Sequence, residues 1–349
     1  MTRKTFSMTV STPEATGPRR KRIKTALAIA AVAMVAFGVV VFAWLPAKVV
    51  QAASAITISG SIGAHDPSRM IKDGNTYYVY ATGYNIPSLT STDRIHWKQG
   101  KVVLPNGTPA WARKAVPGND GHNIWAPDVI YNNGLFYLYY AIAGNKYYTA
   151  IGLVTSPTLD PNASNYKWTD RGEVIGTNTS NRFSAIDPAP YFDASGNMWL
   201  SWGSGYIYKA TEPQIFEIRL NRSTGLRADN VLHPVSNGHE EASYVYHHGS
   251  YYYLFWNTGG CCSGTASTYL IHVARSTSVT GPYVGSRGTA NSSNTFLASH
   301  GNVHGPGQIG ILDEGGTSYY TYHYYNASGY PVLGEGVLGW SSSGWPVAN

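Results

Sequence analysis

Charge and cysteine are both scarce in this 349-residue chain: 13% of its residues are charged, and its two cysteines, Cys261 and Cys262, are neighbours. Adjacent cysteines cannot join distant parts of a fold, which excludes a disulfide-framework protein. They form either a pair of small thiols or a vicinal disulfide permitted by an oxidising exterior. Helical periodicity is nearly absent after residue 55, which excludes bundles and alternating α/β architectures. No internal linker or low-complexity boundary interrupts the same stretch, so a separate binding module is not expected.

The long apolar run occurs once, at residues 26–45. It follows the basic stretch at residues 19–24 and precedes the small-residue pattern Ala53-Ser54-Ala55, so residues 1–55 read as an export signal and residues 56–349 as a secreted mature chain. An apolar stretch of roughly 20 residues also suffices to span a bilayer, and an uncleaved membrane anchor is the rival reading. Eight of the 25 Lys and Arg and one of the 19 Asp and Glu lie in residues 1–55, leaving 17 basic and 18 acidic groups beyond them. Nucleic-acid binding thereby loses its electrostatic motive.

What is plentiful is tyrosine, 27 residues of it, in alternating runs bounded by Asn-Gly, Asp-Gly and Ser-Gly turns. Such runs predict short antiparallel strands and an all-β fold. Five of them follow a short polar motif: His65-Asp66-Pro67-Ser68, Trp125-Ala126-Pro127-Asp128, Ile186-Asp187-Pro188-Ala189, Glu240-Glu241-Ala242-Ser243 and His304-Gly305-Pro306-Gly307-Gln308. The anchors Asp66, Trp125, Asp187, Glu241 and Gln308 recur at intervals of 59, 62, 54 and 67 residues, the spacing of propeller blades with generous loops. The expectation is a five-bladed β-propeller in which equivalent positions ring a central channel. Counting back eleven residues from each aromatic strand lands on Glu240 rather than Glu241 in the fourth unit, so the register there is open by one residue.

Asp66, Asp187 and one of the glutamates would then meet near the axis. Like charges a few ångströms apart push their pKa values apart, which is what glycoside hydrolysis requires of its proton donor and its base. Aromatic faces such as Trp125 suit sugar rings, although Trp199, Trp202, Trp256, Tyr139 and Tyr140 read mainly as blade core. Gly203-Ser204-Gly205 is a candidate for close backbone approach to a ligand. Ser184-Ala185-Ile186, leading into Asp187, completes the candidate substrate-binding set.

Together with Cys261-Cys262, Gly281-Pro282-Tyr283, Gly305-Pro306-Gly307 and Gly344-Trp345-Pro346, these motifs resemble glycoside hydrolase family 43 from about Gly63 to Pro346, and most of all its endo-1,5-α-L-arabinanases. The resemblance implies a monomeric, secreted enzyme that hydrolyses arabinan with inversion. It assigns Asp66 as general base, Asp187 as pKa modulator and Glu241 as general acid. It also implies a calcium ion in the channel, but Gln308 stands where the family carries a histidine, so the donors for that ion would be Gln308, His304 and His323. The rival readings are an exo-acting arabinofuranosidase or xylosidase of the same family, and a non-catalytic polysaccharide-binding propeller.

Overall fold

The computed structural model describes residues 56–144, 147–181, 183–203, 214–236, 240–289 and 292–349. The proposed export signal and the positions Ser204 and Gly205 lie outside them. Five antiparallel sheets follow one another along the chain. The first blade runs from Ile71–Asp73 outward to His96–Gln99, and the second from Asn123–Asn132 to Thr169–Gly176. The third spans Ala189–Phe192 to His233–Pro234, the fourth Glu241–His248 to Asn294–Leu297, and the fifth His304–Glu314 to Pro346–Ala348. Among the described residues no helix is long and apolar enough to cross a membrane.

The tyrosine runs owe their composition to this stacking. Successive side chains of a strand point to opposite faces, and in a propeller both faces are covered by a neighbouring blade. Thus Tyr78 and Tyr80 join Phe136, Leu138 and Tyr140 between blades one and two, whereas Tyr77 and Val79 pack with Leu333 between blades one and five. The pattern repeats with Tyr137 and Tyr139 against Met198, Leu200 and Trp202, then with Trp199 against Leu254 and Trp256. Tyr253 and Phe255 against Tyr320 and Tyr322 complete the circle. A strand buried on both faces cannot alternate apolar with charged residues, so aromatics with a polar tip fill both.

Ring closure joins the first described residues to the last blade. Ser59–Gly60 runs parallel to His96–Trp97 on the outer edge of blade one, and the Leu333 N–H donates to the Ile62 carbonyl at 2.7 Å. Arg94 of blade one pairs with the buried Glu335 of blade five at 3.0 Å.

A second tie runs beneath the inner strands. Arg69 of blade one forms a fork with Asp128 of blade two, with Nη2 2.5 Å from Oδ2 and Nε 3.1 Å from both oxygens. Its Nη2 also donates to the Pro190 carbonyl of blade three, and its guanidinium lies 4.9 Å from the ring centre of Tyr244 in blade four. The Tyr244 hydroxyl in turn accepts the Ile311 N–H of blade five at 3.1 Å. One cation therefore reaches four blades directly and the fifth through a single hydroxyl. Gly310 is required here, because a Cβ on it would stand 2.3 Å from the Arg69 Cα.

Replacing Arg69 by Met leaves Asp128 buried and uncompensated, and is expected to cost about 3–5 kcal/mol of stability. Denaturant unfolding of the purified variant would measure it, and a loss below about 1 kcal/mol would show that the blades do not depend on this tie.

Candidate active site

Each inner strand carries one extra residue at its start. In the second, fourth and fifth blades the pairing slips by one between Trp125 and Asp128, between Glu241 and Tyr244, and between Gly307 and Gly310. In the first and third, the Thr82 N–H reaches the His65 carbonyl and the Gly203 N–H reaches the Ile186 carbonyl, with the same one-residue slip beyond. The extra residue is left-handed every time: Asp66 (φ 46°), Ala126 (40°), Asp187 (55°), Ala242 (56°) and Gln308 (57°). Non-glycine residues adopt this conformation at a cost of about 1–3 kcal/mol each, and they concentrate at functional sites.

This bulge corrects the register expected from the repeat. Asp66 and Asp187 are equivalent to each other, but Glu241 is equivalent to His65, Trp125, Ile186 and Gly307, one residue earlier. The physical reason is that at a bulge two consecutive residues oppose a single partner, so neither is turned to the far face. His65 and Asp66, Trp125, Ile186 and Asp187, and Glu241 accordingly line one cleft of about 280 Å³, together with Thr82, Asn123, Tyr269 and the Cys261–Cys262 pair. Glu240 does not line it.

A bulge residue also loses its ladder partner, and at four of the five bulges the preceding blade supplies a side chain for its N–H. Ala126 donates to Thr82 Oγ1 (2.8 Å), Ala242 to Asp187 Oδ2 (2.9 Å), Gln308 to Asn257 Oδ1 (3.1 Å) and Asp66 to His323 Nδ1 (3.2 Å). The site residues are thereby tied to the backbone of the next blade.

The acids differ in environment. Asp66 Oδ2 accepts from Thr82 Oγ1 and bonds to His65 Nδ1, each at 2.8 Å. Burial opposes its ionisation, but His65, His323 and the Thr82 hydroxyl outweigh it and hold the carboxyl at about 2. Asp187 is pushed well above the ordinary carboxylate range by burial, then by the neighbouring charges of Glu241 and Asp66, with the Ala242 N–H only partly offsetting them. Glu241 Oε1 accepts a hydrogen bond from the buried Tyr269 hydroxyl. One cleft thus holds two acids whose tendencies to ionise are pushed in opposite directions.

The other candidate positions separate into wall and support. Ser184 and Ala185 are fully buried behind the cleft, where the Ala185 N–H donates to Thr149 Oγ1 at 2.7 Å. The Gly203 expectation is also corrected: a Cβ there would lie 1.9 Å from the Gln214 carbonyl oxygen, so glycine serves close approach of two strands, not of a ligand. Trp199, Trp202, Trp256, Tyr139 and Tyr140 are buried in the blades. The adjacent cysteines form a disulfide. Tyr269, Thr82 and Asn123 escaped the sequence reading, since nothing in their local pattern separates them from blade residues.

The residues named for calcium offer it few direct ligands. Calcium takes six to eight oxygen ligands, waters among them. Gln308 brings one amide oxygen, and His304 belongs to neither group of converging ligand side chains found among the described residues. His323 is fully buried, and its Nδ1 accepts the Asp66 N–H. With burial holding the ring neutral, its proton sits on Nε2, leaving no lone pair there for a cation. Both nitrogens of His65 are already engaged, on Asp66 and on the Tyr325 hydroxyl.

A profile for glycosyl hydrolases family 43 matches residues 61–346. The chain belongs to this family. An extracellular exo-α-(1→5)-L-arabinofuranosidase of Cellvibrio japonicus is 34% identical to it over 324 residues, 87% of this chain and 91% of that one. An extracellular endo-α-(1→5)-L-arabinanase of Bacillus subtilis is 36% identical over 294 residues, 81% of this chain and 86% of the relative. Among solved structures, the α-L-arabinanase of Cellvibrio cellulosa in complex with arabinohexaose matches with a TM-score of 0.76 at 30% identity, covering 82% of this chain and 96% of that one. As a family 43 member this propeller is a glycoside hydrolase, which leaves the binding-only reading without support.

Dialysis against EDTA is expected to leave the hydrolytic rate unchanged. A loss that added calcium restores would show that the channel depends on the ion.

Proposed function

We propose that the protein is a secreted endo-1,5-α-L-arabinanase that hydrolyses arabinan with inversion, with Asp66 as base, Glu241 as acid and Asp187 as the group that tunes the acid. The observation that carries this reading is the opposite charge preference of Asp66 and Asp187 around Glu241 in one cleft. Extracellular relatives that cleave the same linkage support the substrate and the location.

In the single displacement, water attacks the anomeric carbon as the bond to the leaving oxygen breaks. Asp66 takes the water proton. Its Oδ2 already serves His65 and Thr82, so Oδ1 is the oxygen with capacity to spare. Glu241 delivers its proton to the leaving oxygen. With Tyr269 donating to Oε1, that proton belongs on Oε2, and the same hydroxyl steadies the carboxylate that remains. Asp187, held by the Ala242 N–H, is the neighbouring carboxyl whose charge and that of Glu241 disfavour each other, which favours the proton that Glu241 carries before the transfer.

Exo action is the second reading, favoured by the Cellvibrio japonicus relative. Sizing the early products from debranched linear arabinan separates the two: mixed oligosaccharides are expected, and a single small product from the first time point would establish exo action.

Glu241→Ala is expected to lower kcat by about 10²–10⁴-fold, whereas Glu240→Ala stays within about threefold of wild type. The opposite ranking, measured by reducing ends released, would overturn the register. Because Asp66 stays ionised down to about 2, the acid limb of kcat/KM should lie below about pH 4, where an ordinary aspartate titrates. A pH profile with that limb at or above 4 would remove Asp66 from the role of base.

A further inference from the structure

The geometry points to Tyr325 and the Cys261–Cys262 disulfide as positioning elements that hold Asp66 through His65. This rests on the reading of Asp66 as the base. His65 spends both ring nitrogens in a chain, Nδ1 on Asp66 Oδ2 at 2.8 Å and Nε2 on the Tyr325 hydroxyl at 2.9 Å. The ring is held flat against His323, with centroids 4.5 Å apart and planes 23° from parallel. At the far end, the same Tyr325 hydroxyl accepts the Cys262 N–H at 2.8 Å, and Cys262 Sγ lies 3.7 Å from His65 Nε2.

Cys262 can aim its N–H at Tyr325 because its backbone is left-handed, at φ 67°. A non-glycine residue avoids that conformation unless something imposes it, and a bond to the preceding side chain closes a small covalent ring around the peptide that does so. The contribution of such a bridge to overall stability is small, because stabilisation by a disulfide grows with the loop it closes and this loop contains no intervening residue. Its place on the wall of the catalytic cleft therefore has a local purpose. Bridge, hydroxyl and imidazole form a rigid support that fixes the direction of the Asp66 carboxylate, as outer hydrogen bonds fix a reacting group elsewhere.

The test uses the full chain and two variants outside the acid set, Tyr325→Phe and the double variant Cys261→Ser/Cys262→Ser. On linear arabinan each is expected to lower kcat by about tenfold while KM stays within about twofold, since a misdirected base is felt only in the transition state. Combining them should cost little more than either alone, because both cut the same chain. Wild-type protein treated with TCEP, which reduces the bridge to two thiols as the phosphine becomes its oxide, should match the double serine variant. Unchanged kcat in both variants would refute the proposal. A raised KM at unchanged kcat would make the bridge a substrate wall instead, and additive losses with a lowered melting temperature would make it a structural clamp. Asp66→Ala is the separate control: if it retains wild-type activity, the base assignment fails, whatever the variants show.

Discussion

One extra residue at the start of each inner strand is the constraint from which the site follows. It takes an N–H out of the sheet ladder, and a buried N–H must find another acceptor. The acceptor comes from the preceding blade, and at three of the four such contacts it is Thr82, Asp187 or His323, side chains that also touch or form the acid set. Backbone satisfaction and chemistry are thus met by the same atoms. The left-handed residues store strain at the axis, and the stacked blades hold them there.

Arg69 plays the complementary part below the acids. A carboxylate cluster repels itself, and a balancing cation inside the cleft would hold every acid ionised. Instead the guanidinium is committed to Asp128 and the Pro190 carbonyl, and does not line the cleft. Around Asp66 the groups that favour ionisation are His65, His323 and the Thr82 hydroxyl, and the pKa of His65 is itself raised by Asp66 and Glu241 against the effect of burial. These groups act on Asp66, whereas at Asp187 only the Ala242 N–H offsets the rise.

The five-blade repeat was legible in the sequence because both faces of every strand are buried by aromatics, and the short motifs preceding those strands mark the axis. Counting alone read Glu241 only to within one residue, since a bulge hides from any count that assumes one residue per pairing step, and the family resemblance was needed to choose it over Glu240. Gly203 looked like a ligand contact because a glycine records close approach without saying to what. Tyr269 was lost among many tyrosines with the same neighbours, and its hydrogen bond to Glu241 depends on a strand pairing that no local pattern specifies. The cysteine pair announced itself by rarity, yet its partner Tyr325 lies 63 residues away in another blade.

The direction of the N–H contacts around the ring has a consequence for how the protein matures. The bulges at Ala126, Ala242 and Gln308 are completed by the blade made before them, whereas Asp66 of the first waits for His323 across 257 residues of chain. His65 likewise waits for Tyr325, 260 residues on. During synthesis the second to fourth blades can settle in order, but Asp66 remains unsupported until the fifth has docked. Such late, long-range contacts are slow to form. Hydrolytic activity therefore reports that the circle has closed, and a chain stopped short of the last blade would carry all three acids without a working site.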